Sequence, residues 1–404
     1  MEATLEATIR ERMEREKART EPAPESIAVP LIPTDRYTST EMFALERERI
    51  FRRGWLFAGH ESEWPEPGSY RQYSRTGSPL VIVRGDDGVL RGFFNSCRHR
   101  GAPVTRDVCG TARRLTCQYH SWSYGTDGAL KGVPDARSFA DLDTEALGLV
   151  PVACTVHDGW VWVSENVDAP DIATVLGPVA QQMAELDGPS LRFVGSRTHQ
   201  LRCNWKLMVD AFLEVYHVRT VHPDNAALLY DDQTVTVSML PNGNSRLTVD
   251  KRAELRDIPF VSPEFDNPSV GQLWRQTSTS YGIFPNLVVP MDTGAFVWLS
   301  MWPVDIDHTE LELRWYAPAW EGDEVPDDHT GRMALFETVM AQDTANMAPI
   351  QASVASPGAR PFQIGWHERL IHHFHRAVDL AIGVDDLPPG LAVSDALDRF
   401  VEPV

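Results

Sequence analysis

Two cysteine–histidine pairs constrain the fold of this chain more than any other feature of its sequence. Cys97 and His99 have the spacing C-x-H, and Cys117 and His120 have the spacing C-x-x-H. A cysteine and a histidine this close together in each of two nearby segments are typical ligands of a metal centre. Four unrelated side chains would produce this pattern only by a double coincidence. We therefore expect a fold that brings the two segments together as loops around one metal centre.

The two pairs admit two kinds of metal centre. They can hold one zinc ion tetrahedrally, or a [2Fe–2S] cluster with both thiolates on one iron and both imidazoles on the other. Small zinc sites usually place two cysteines together, whereas each loop here supplies one cysteine and one histidine. This mixed pairing favours the two-iron cluster. The other cysteines, Cys109, Cys154 and Cys203, have no such partner and are interpreted as core or loop thiols.

A second group of metal-binding side chains follows near the middle of the chain. On a continuous helix Asp210, Glu214 and His217 would lie within about 60° of one another, because each residue advances by roughly 100°. His222 lies beyond the expected end of this helix, since Pro223 disfavours helical geometry in the residue before it. The two histidines can then converge on one ion. An amphipathic helix with a solvated acidic stripe is the alternative for this stretch.

Sequence periodicity divides the chain into three segments. Residues 1–45 have the pattern of a charged helix followed by a linker, and residues 46–168 that of a small all-β domain with glycine turns. Residues 169–404 mix antiparallel strands with long helices, which indicates an α+β domain. In this last segment we predict helices at about 203–217, 327–352 and 366–382, and strands at 233–238, 245–249, 287–290, 295–302 and 310–316.

The composition excludes several classes of protein. The chain has 37 basic and 57 acidic residues and a net charge of −20, which argues against nucleic acids and anionic membranes as partners. No apolar run approaches the roughly 20 residues of a membrane span, and we expect no signal peptide in the first residues. With five cysteines, an odd and sparse set, we expect reduced thiols and a cytoplasmic protein. A nucleotide-cofactor domain is not expected, because no strand is followed by G-x-G-x-x-G.

Taken together, these motifs resemble the large (alpha) subunit of the Rieske non-haem iron oxygenases, the aromatic-ring-hydroxylating dioxygenase family. The resemblance rests on C-x-H-R-G, C-x-Y-H-x-W and N-W-K…E-x-Y-H-x-x-x-x-H-P. It implies an α+β protein in which an all-β Rieske [2Fe-2S] domain precedes a helix-grip (START-like) catalytic domain with an antiparallel sheet. The activity implied is hydroxylation of an aromatic or other small organic substrate. O₂ would be the cosubstrate, and NAD(P)H would act through a separate flavin or iron–sulfur reductase or a ferredoxin.

The resemblance also assigns site residues by matching position. The cluster ligands would be Cys97, His99, Cys117 and His120. The ligands of a mononuclear non-haem Fe(II) would be His217, His222 and Asp343. Glu214 matches the acidic residue that joins this iron to a neighbouring subunit's cluster, and Asp210 stands where relatives carry a carboxylate or amide near the iron. Relatives form head-to-tail rings, so we expect a homotrimer.

Several alternatives stay open at this point. Glu337, six residues before Asp343, is a second candidate for the carboxylate ligand. The histidines on a predicted late helix are interpreted as surface or supporting residues rather than as a third metal site; they are His372, His373 and His375. Within the family, an N- or O-demethylating or quaternary-amine monooxygenase is the alternative activity. Outside it, a zinc-stabilised binding protein without redox activity would use the same cysteines and histidines.

Overall fold

The chain forms two compact units. The structure, a computed structural model, describes residues 3–23, 26–256, 258, 266–291 and 296–403. One unit is Arg47–Ile172, and the other combines Met1–Glu46 with Ala173–Val404. The N-terminal residues, expected as a separate segment, thus belong to the same unit as the C-terminal half. Within the described ranges, no helix is both long enough and apolar enough to cross a membrane.

The unit of residues 47–172 is built from antiparallel strands, as predicted. Its strands are β1 (Leu56–His60), β2 (Ser69–Tyr73), β3 (Leu80–Arg84), β4 (Leu90–Phe94), β5 (Cys109–Thr111), β6 (Leu115–Thr116), β7 (Ser123–Tyr124), β8 (Leu130–Gly132), β9 (Pro151–His157) and β10 (Trp160–Ser164). One sheet has the order β1-β10-β9-β4-β3-β2-β5, and a smaller sheet has the order β6-β7-β8. The all-β prediction for this part of the chain is confirmed.

Strand β3 shows how this unit is packed. Successive side chains of a strand point to opposite faces, and both faces of β3 are buried. Val81 and Val83 enter a core that also contains Cys97 and Cys117, whereas the alternate residues Leu80 and Ile82 enter a second core. The continuous run of apolar residues in β3 is therefore explained by its position between two cores.

The other unit contains one antiparallel sheet covered by helices. Its strands are β11 (Leu191–Leu201), β12 (Tyr230–Met239), β13 (Ser245–Lys251), β14 (Thr277–Ile283), β15 (Leu287–Met291), β16 (Phe296–Asp305) and β17 (His308–Pro318), in the spatial order β11-β17-β16-β15-β14-β13-β12. The α-helices of the described chain are α1 (Ala3–Ala18), α2 (Thr40–Leu45), α3 (Ile172–Leu176), α4 (Pro178–Met183), α5 (Trp205–Ala211), α6 (Val218–Val221), α7 (Ala226–Leu229), α8 (Gln272–Gln276), α9 (Asp327–Thr344), α10 (Met347–Val354) and α11 (Arg369–Ile382). Helix α5 contacts β16 and β17, and α11 contacts β12. The mixed α+β class is confirmed.

The helix predicted at 203–217 is wrong in its length. Helix α5 ends at Ala211, so only Asp210 of the three residues assigned to one helix face lies on it. Glu214 and His217 lie on the turn that follows. The carboxylate of Glu214 accepts hydrogen bonds from two backbone N–H groups of that turn. Such side-chain bonds compete with the helical pattern, which explains why the helix does not continue.

A buried ion pair anchors α5 to the residue that follows α2. Lys206 Nζ lies 2.6 Å from Glu46 Oε1, and both side chains are fully buried. The indole N–H of Trp205 donates to the other carboxylate oxygen at 2.8 Å. Burial lowers the pKa of Lys206, and the negative charge of Glu46 opposes this shift. Removing one partner would leave the other charge buried without compensation.

We expect Lys206→Met to lower the free energy of unfolding by about 3–5 kcal/mol, because Glu46 then stays buried and unpaired. Urea unfolding followed by tryptophan fluorescence measures this loss. The double variant Glu46→Gln/Lys206→Met removes both charges and should recover a large part of it. A single variant as stable as the wild type, or a double variant less stable than the single one, would contradict this account.

Candidate metal centres and the adjoining cavity

The two Cys/His loops contain the same type of backbone turn. The N–H of Gly101 donates to the carbonyl of Cys97 at 2.8 Å, and the N–H of Ser121 donates to the carbonyl of Cys117 at 2.9 Å. Gly101 and Ser121 both have left-handed backbone, with φ of 75° and 60°. Glycine adopts this region without strain and serine does not. The two loops are thus matched in geometry although their sequence spacings differ.

The two imidazoles of these loops lie side by side. The ring centroids of His99 and His120 are 4.6 Å apart, and Trp122 stacks on His99 at 5.0 Å. The Nδ1 atoms of both histidines are buried and have no hydrogen-bond partner in the described chain. A buried ring nitrogen without a partner is costly, whereas it is a ready ligand for a metal. Burial, with the neighbouring charges, lowers the pKa of His120, which favours the neutral, metal-binding form.

These four side chains fit a [2Fe–2S] cluster. Cys97 and Cys117 are buried and carry free thiols, so two sulfur and two nitrogen donors are available. Each loop contributes one donor of each kind, which suits a cluster with two thiolates on one iron and two imidazoles on the other. Cys109 is exposed and lies on the edge strand β5. The donor set of the two loops is therefore complete without it.

A tyrosine hydroxyl contacts one of the two thiols. Tyr124 Oη accepts a hydrogen bond from the backbone N–H of Arg98 at 3.0 Å and lies 3.2 Å from Cys97 Sγ. Either atom can donate in the contact between the hydroxyl and a thiol, but if Cys97 is a thiolate only the hydroxyl can donate. Burial and the neighbouring Cys97 raise the pKa of Tyr124, so the hydroxyl stays a donor. Hydrogen bonds to ligand sulfur atoms tune the reduction potential of iron–sulfur clusters.

The structure brings together a second group of metal-binding side chains. His217, His222 and Asp343 each offer one ligand atom, and these atoms lie within 4.8 Å of one another. His217 immediately precedes the helical turn α6 and His222 immediately follows it, while Asp343 lies near the end of α9. The Nε2 atoms of His222 and His217 lie 2.7 and 3.6 Å from Asp343 Oδ1. Two imidazoles and one carboxylate thus converge on one point.

The other ring nitrogen of each histidine is held by a neighbour. Nδ1 of His217 is hydrogen-bonded to Glu214, and Nδ1 of His222 lies 2.8 Å from the side-chain oxygen of Gln342. Asn225 donates to that same oxygen at 3.0 Å. Because an amide oxygen and a carboxylate only accept, each Nδ1 atom carries a proton. This is the arrangement that fixes metal-binding histidines in other proteins. The Nε2 atoms face Asp343, and Nε2 of His222 is hydrogen-bonded to its carboxylate at 2.7 Å, a contact that a metal ion between the two groups would replace.

Without a cation, the pKa shifts in this group favour protonation. Burial raises the pKa of Asp343, although His222 and His217 act in the opposite direction. Burial lowers the pKa of His217, but the hydrogen bond and charge of Glu214 outweigh it, so this pKa is raised overall. Metal binding requires an ionised carboxylate and neutral imidazoles. A cation between the three side chains would favour these forms, and the donor set therefore fits a mononuclear non-haem iron.

The remaining candidates lie elsewhere. Glu337 lies 2.9 Å from His199 Nε2 and is not part of the group around Asp343. The three late histidines are all buried in α11, which excludes the surface alternative and leaves the supporting one; they are His372, His373 and His375. None of them belongs to a metal-binding group in the part of the chain that the structure describes.

A cavity of about 470 Å³ adjoins the second group. Its apolar lining comes mostly from α5, α10 and the segment 362–371. Four carboxylates also line it, those of Asp210, Glu214, Asp343 and Glu368, and none of the described lining residues is lysine or arginine. The cavity is therefore mostly apolar, with four carboxylates in its lining.

Two family models match the chain. Residues 54–157 match the Rieske [2Fe-2S] domain, and residues 189–383 match the ring hydroxylating alpha subunit (catalytic domain). Together the two matches cover about three quarters of the chain. They contain all the side chains of both candidate centres.

Individual relatives agree with these matches. The chain is 34% identical over 190 residues to the chlorobenzene dioxygenase subunit alpha of Cupriavidus sp. (strain PS12), which covers 46% of this chain and 42% of that subunit. It is 26% identical over 331 residues to the carnitine monooxygenase oxygenase subunit of Acinetobacter baumannii, which covers 80% of this chain and 85% of that subunit. The first alignment thus spans less than half of the relative.

The fold is also similar to that of solved proteins. The structure of a quaternary ammonium Rieske monooxygenase superimposes with a TM-score of 0.75 at 22% identity, covering 88% of this chain and 95% of that one. At this identity the likeness concerns the fold. Both units of the chain therefore have counterparts in known structures.

Proposed function

Because this chain belongs to the family of Rieske ring-hydroxylating oxygenase alpha subunits, we propose that it is the terminal oxygenase component of a multicomponent system. It would use O₂ to hydroxylate a small organic substrate, with electrons from NAD(P)H delivered by a separate reductase. The observation that carries this proposal is the presence of both donor sets in one chain. In one unit Cys97 and Cys117 lie in the same core cluster and the rings of His99 and His120 lie side by side. In the other unit His217, His222 and Asp343 converge.

The four loop residues would hold the [2Fe–2S] cluster, which supplies electrons one at a time. The ligand atoms would be the two cysteine sulfurs and the Nδ1 atoms of His99 and His120, which are buried without partners in the described structure. The hydroxyl of Tyr124 would donate a hydrogen bond to Cys97 Sγ at 3.2 Å. Stacking on Trp122 would hold the ring of His99 in place.

His217, His222 and Asp343 would hold the mononuclear Fe(II), where O₂ and substrate meet. Three ligands on one face leave other coordination positions open. Glu214 and Gln342 would orient the two imidazoles by accepting hydrogen bonds from their Nδ1–H groups. The apolar lining of the cavity would exclude water and bind the carbon skeleton of the substrate.

The carboxylates of the cavity lining favour a second candidate, a monooxygenase that acts on a cationic methylamine. Four carboxylates line the cavity, so the two positive charges of Fe(II) leave an excess of negative charge. A substrate with a positive charge would reduce that excess. The carnitine monooxygenase of Acinetobacter baumannii, a relative over most of its length, is named for such a substrate.

A homotrimer completes the proposal. A head-to-tail interface closes into a ring when the rotation between neighbouring subunits permits. Each contact in such a ring would bring the cluster of one chain to the iron of the next. The solved quaternary ammonium monooxygenase is described with inter-subunit electron transfer. In this arrangement Glu214 of one chain would bridge its own His217 and either His99 or His120 of the next chain.

We expect Glu214→Gln to keep both iron centres and the oligomer but to slow oxidation of the reduced cluster by O₂ and substrate about 10- to 100-fold. The glutamine removes the negative charge and one acceptor while keeping the size of the side chain. Single-turnover stopped-flow absorbance measures the rate. Glu368→Gln, at another cavity carboxylate, is the matched control and should keep wild-type cluster oxidation. Wild-type rates in Glu214→Gln would show that this residue is not the bridge.

The proposed function is tested with a surrogate reductase. O₂ and NAD(P)H consumption should rise on addition of a substrate, and aromatic hydrocarbons and cationic methylamines should be compared in the same assay. A hydroxylated ring product supports the first candidate, whereas release of an aldehyde or a shortened amine supports the second. Protein that contains both centres but consumes no O₂ with any member of either series would contradict the proposal.

A further inference from the structure

Asp210, at the wall of the cavity, is held by two fully buried side chains. Tyr37 Oη donates a hydrogen bond to Asp210 Oδ2 at 2.6 Å. His375 Nε2 lies 2.9 Å from the same hydroxyl and 3.3 Å from Oδ2. Tyr37 comes from the N-terminal segment and His375 from α11, so parts of the chain that are distant in sequence meet at one carboxylate.

The direction of these hydrogen bonds is set by an arginine. Arg36 Nε donates to Nδ1 of His375 at 3.0 Å, and a guanidinium cannot accept. Burial lowers the pKa of His375, so the ring is neutral and carries its proton on Nε2. Nε2 therefore donates toward Tyr37 and Asp210, and the Tyr37 hydroxyl donates to Asp210. Arg36 itself is fixed by Asp379 at 2.7 Å.

The charge of Asp210 is not paired by this network. Arg36 pairs with Asp379, and Lys206 pairs with Glu46. The two groups that donate to Asp210 are neutral. Its other oxygen, Oδ1, is buried and lacks a hydrogen-bond partner among the described residues, since His375 Nε2 lies 3.3 Å away without hydrogen-bond geometry. A buried carboxylate oxygen in this state is costly unless another group supplies a donor or a positive charge.

We propose that Tyr37 and His375 are positioning residues that occupy one oxygen of Asp210 and leave the other for the cationic part of the substrate. Asp210 is then the residue that selects substrates by charge. The inference rests on the proposed oxygenase function and adds to it the group that recognises the substrate. It also explains why a buried tyrosine and a neutral histidine, rather than a lysine or arginine, hold Asp210: neither neutralises its charge.

The test compares two ligands of nearly equal shape. Choline carries a trimethylammonium group, and 3,3-dimethylbutan-1-ol carries a neutral tert-butyl group in its place. Their dissociation constants for the Fe(II)-loaded protein are measured by isothermal titration calorimetry. The solutions are anaerobic, so no turnover takes place during the measurement. We expect the wild type to prefer choline. Asp210→Asn should reduce this preference about tenfold or more, because a tenfold change corresponds to roughly one lost charge-assisted contact. Tyr37→Phe should reduce it by less, about threefold, because it removes only the hydroxyl that positions Asp210.

Tyr281→Phe is the matched control. Tyr281 is also fully buried, but its hydroxyl donates to Gln182 at 3.0 Å and it is not part of the cavity lining. Loss of the Tyr281 hydroxyl should leave the preference for choline unchanged. Melting temperatures verify the folding of each variant, and the nearly isosteric Asp210→Asn decides the question if Tyr37→Phe does not fold.

Two results would overturn the inference. One is a wild type that binds both ligands equally or binds neither. The other is an unchanged preference in Asp210→Asn. A failure of the proposed function would be seen separately, as a wild-type protein without the cluster, without the second iron or without O₂ consumption. A purely structural role of Tyr37 would lower the affinity for both ligands together and leave their ratio unchanged.

Discussion

Asp343→Ala should lose the mononuclear iron and all turnover while the visible spectrum of the cluster is retained. Asp343 supplies the only carboxylate in the group of three ligand atoms that the described structure brings within 4.8 Å. Its loss leaves two neutral imidazoles, which bind Fe(II) far more weakly than a set with a carboxylate. Disturbing a residue that only orients a ligand already costs about 10- to 100-fold in metal affinity or activity, so loss of the ligand itself should exceed this.

Glu337→Ala is the matched control for this prediction. It removes a carboxylate from the same helix, α9, where the side chain pairs with His199. The control should keep its iron and its turnover. Iron is counted by metal analysis after anaerobic loading and desalting, and turnover by O₂ consumption. If Asp343→Ala kept its iron and Glu337→Ala lost it, the assignment of the carboxylate ligand would be reversed.

Cys97→Ser should abolish the cluster and its colour while the mononuclear site still binds iron. The cysteine is buried in the core of its unit and offers its sulfur beside the hydroxyl of Tyr124. A serine oxygen is a harder ligand than a thiolate and is poorly suited to an iron–sulfur cluster. We therefore expect absorption in the visible region to fall to the level of the apoprotein and electron delivery to stop.

Cys109→Ser separates this effect from a general sensitivity to cysteine loss. Cys109 lies in the same unit but is exposed, and it belongs to no Cys/His pair. Its variant should keep the colour and the iron content of the wild type. Full colour in Cys97→Ser would show that the four loop residues do not form the cluster site.

The strands of this chain were the easiest elements to predict. Predicted segments fall within β12, β13, β15 and β17, and the segment predicted at 295–302 matches β16 from Phe296 onward, its first residue lying outside the described ranges. Two described strands of this same sheet were missed. Strand β11 (Leu191–Leu201) carries several polar residues on its partly exposed surface, and β14 (Thr277–Ile283) consists mainly of threonine, serine and glycine. Neither has the apolar alternation on which the prediction depends.

The helices were predicted less well where side chains bond to the backbone. The single helix expected at 327–352 is two helices, α9 and α10, and the helix expected at 203–217 ends at Ala211. In the second case Glu214 binds backbone N–H groups of its own turn. A propensity-based reading counts glutamate as a good helix former and therefore does not detect this competition.

The candidate site was predictable only where ligands are close in sequence. The spacing of His217 and His222 indicated a pair, but Asp343 came from the resemblance to the family, because no spacing rule links residues so far apart. Gln342 was missed as the partner of His222, and its only sequence signal is its position beside Asp343. Tyr37 and His375 were also missed as partners of Asp210. They are distant from it in sequence, and only the fold brings the three side chains together.

The central claim is that one chain carries both an iron–sulfur cluster and a mononuclear iron. Absorption spectroscopy of anaerobically purified protein, combined with metal analysis, tests it most directly. We expect a coloured protein that bleaches on dithionite reduction and contains two cluster irons, two sulfides and one further iron per chain. A colourless protein with about one zinc per chain would contradict it.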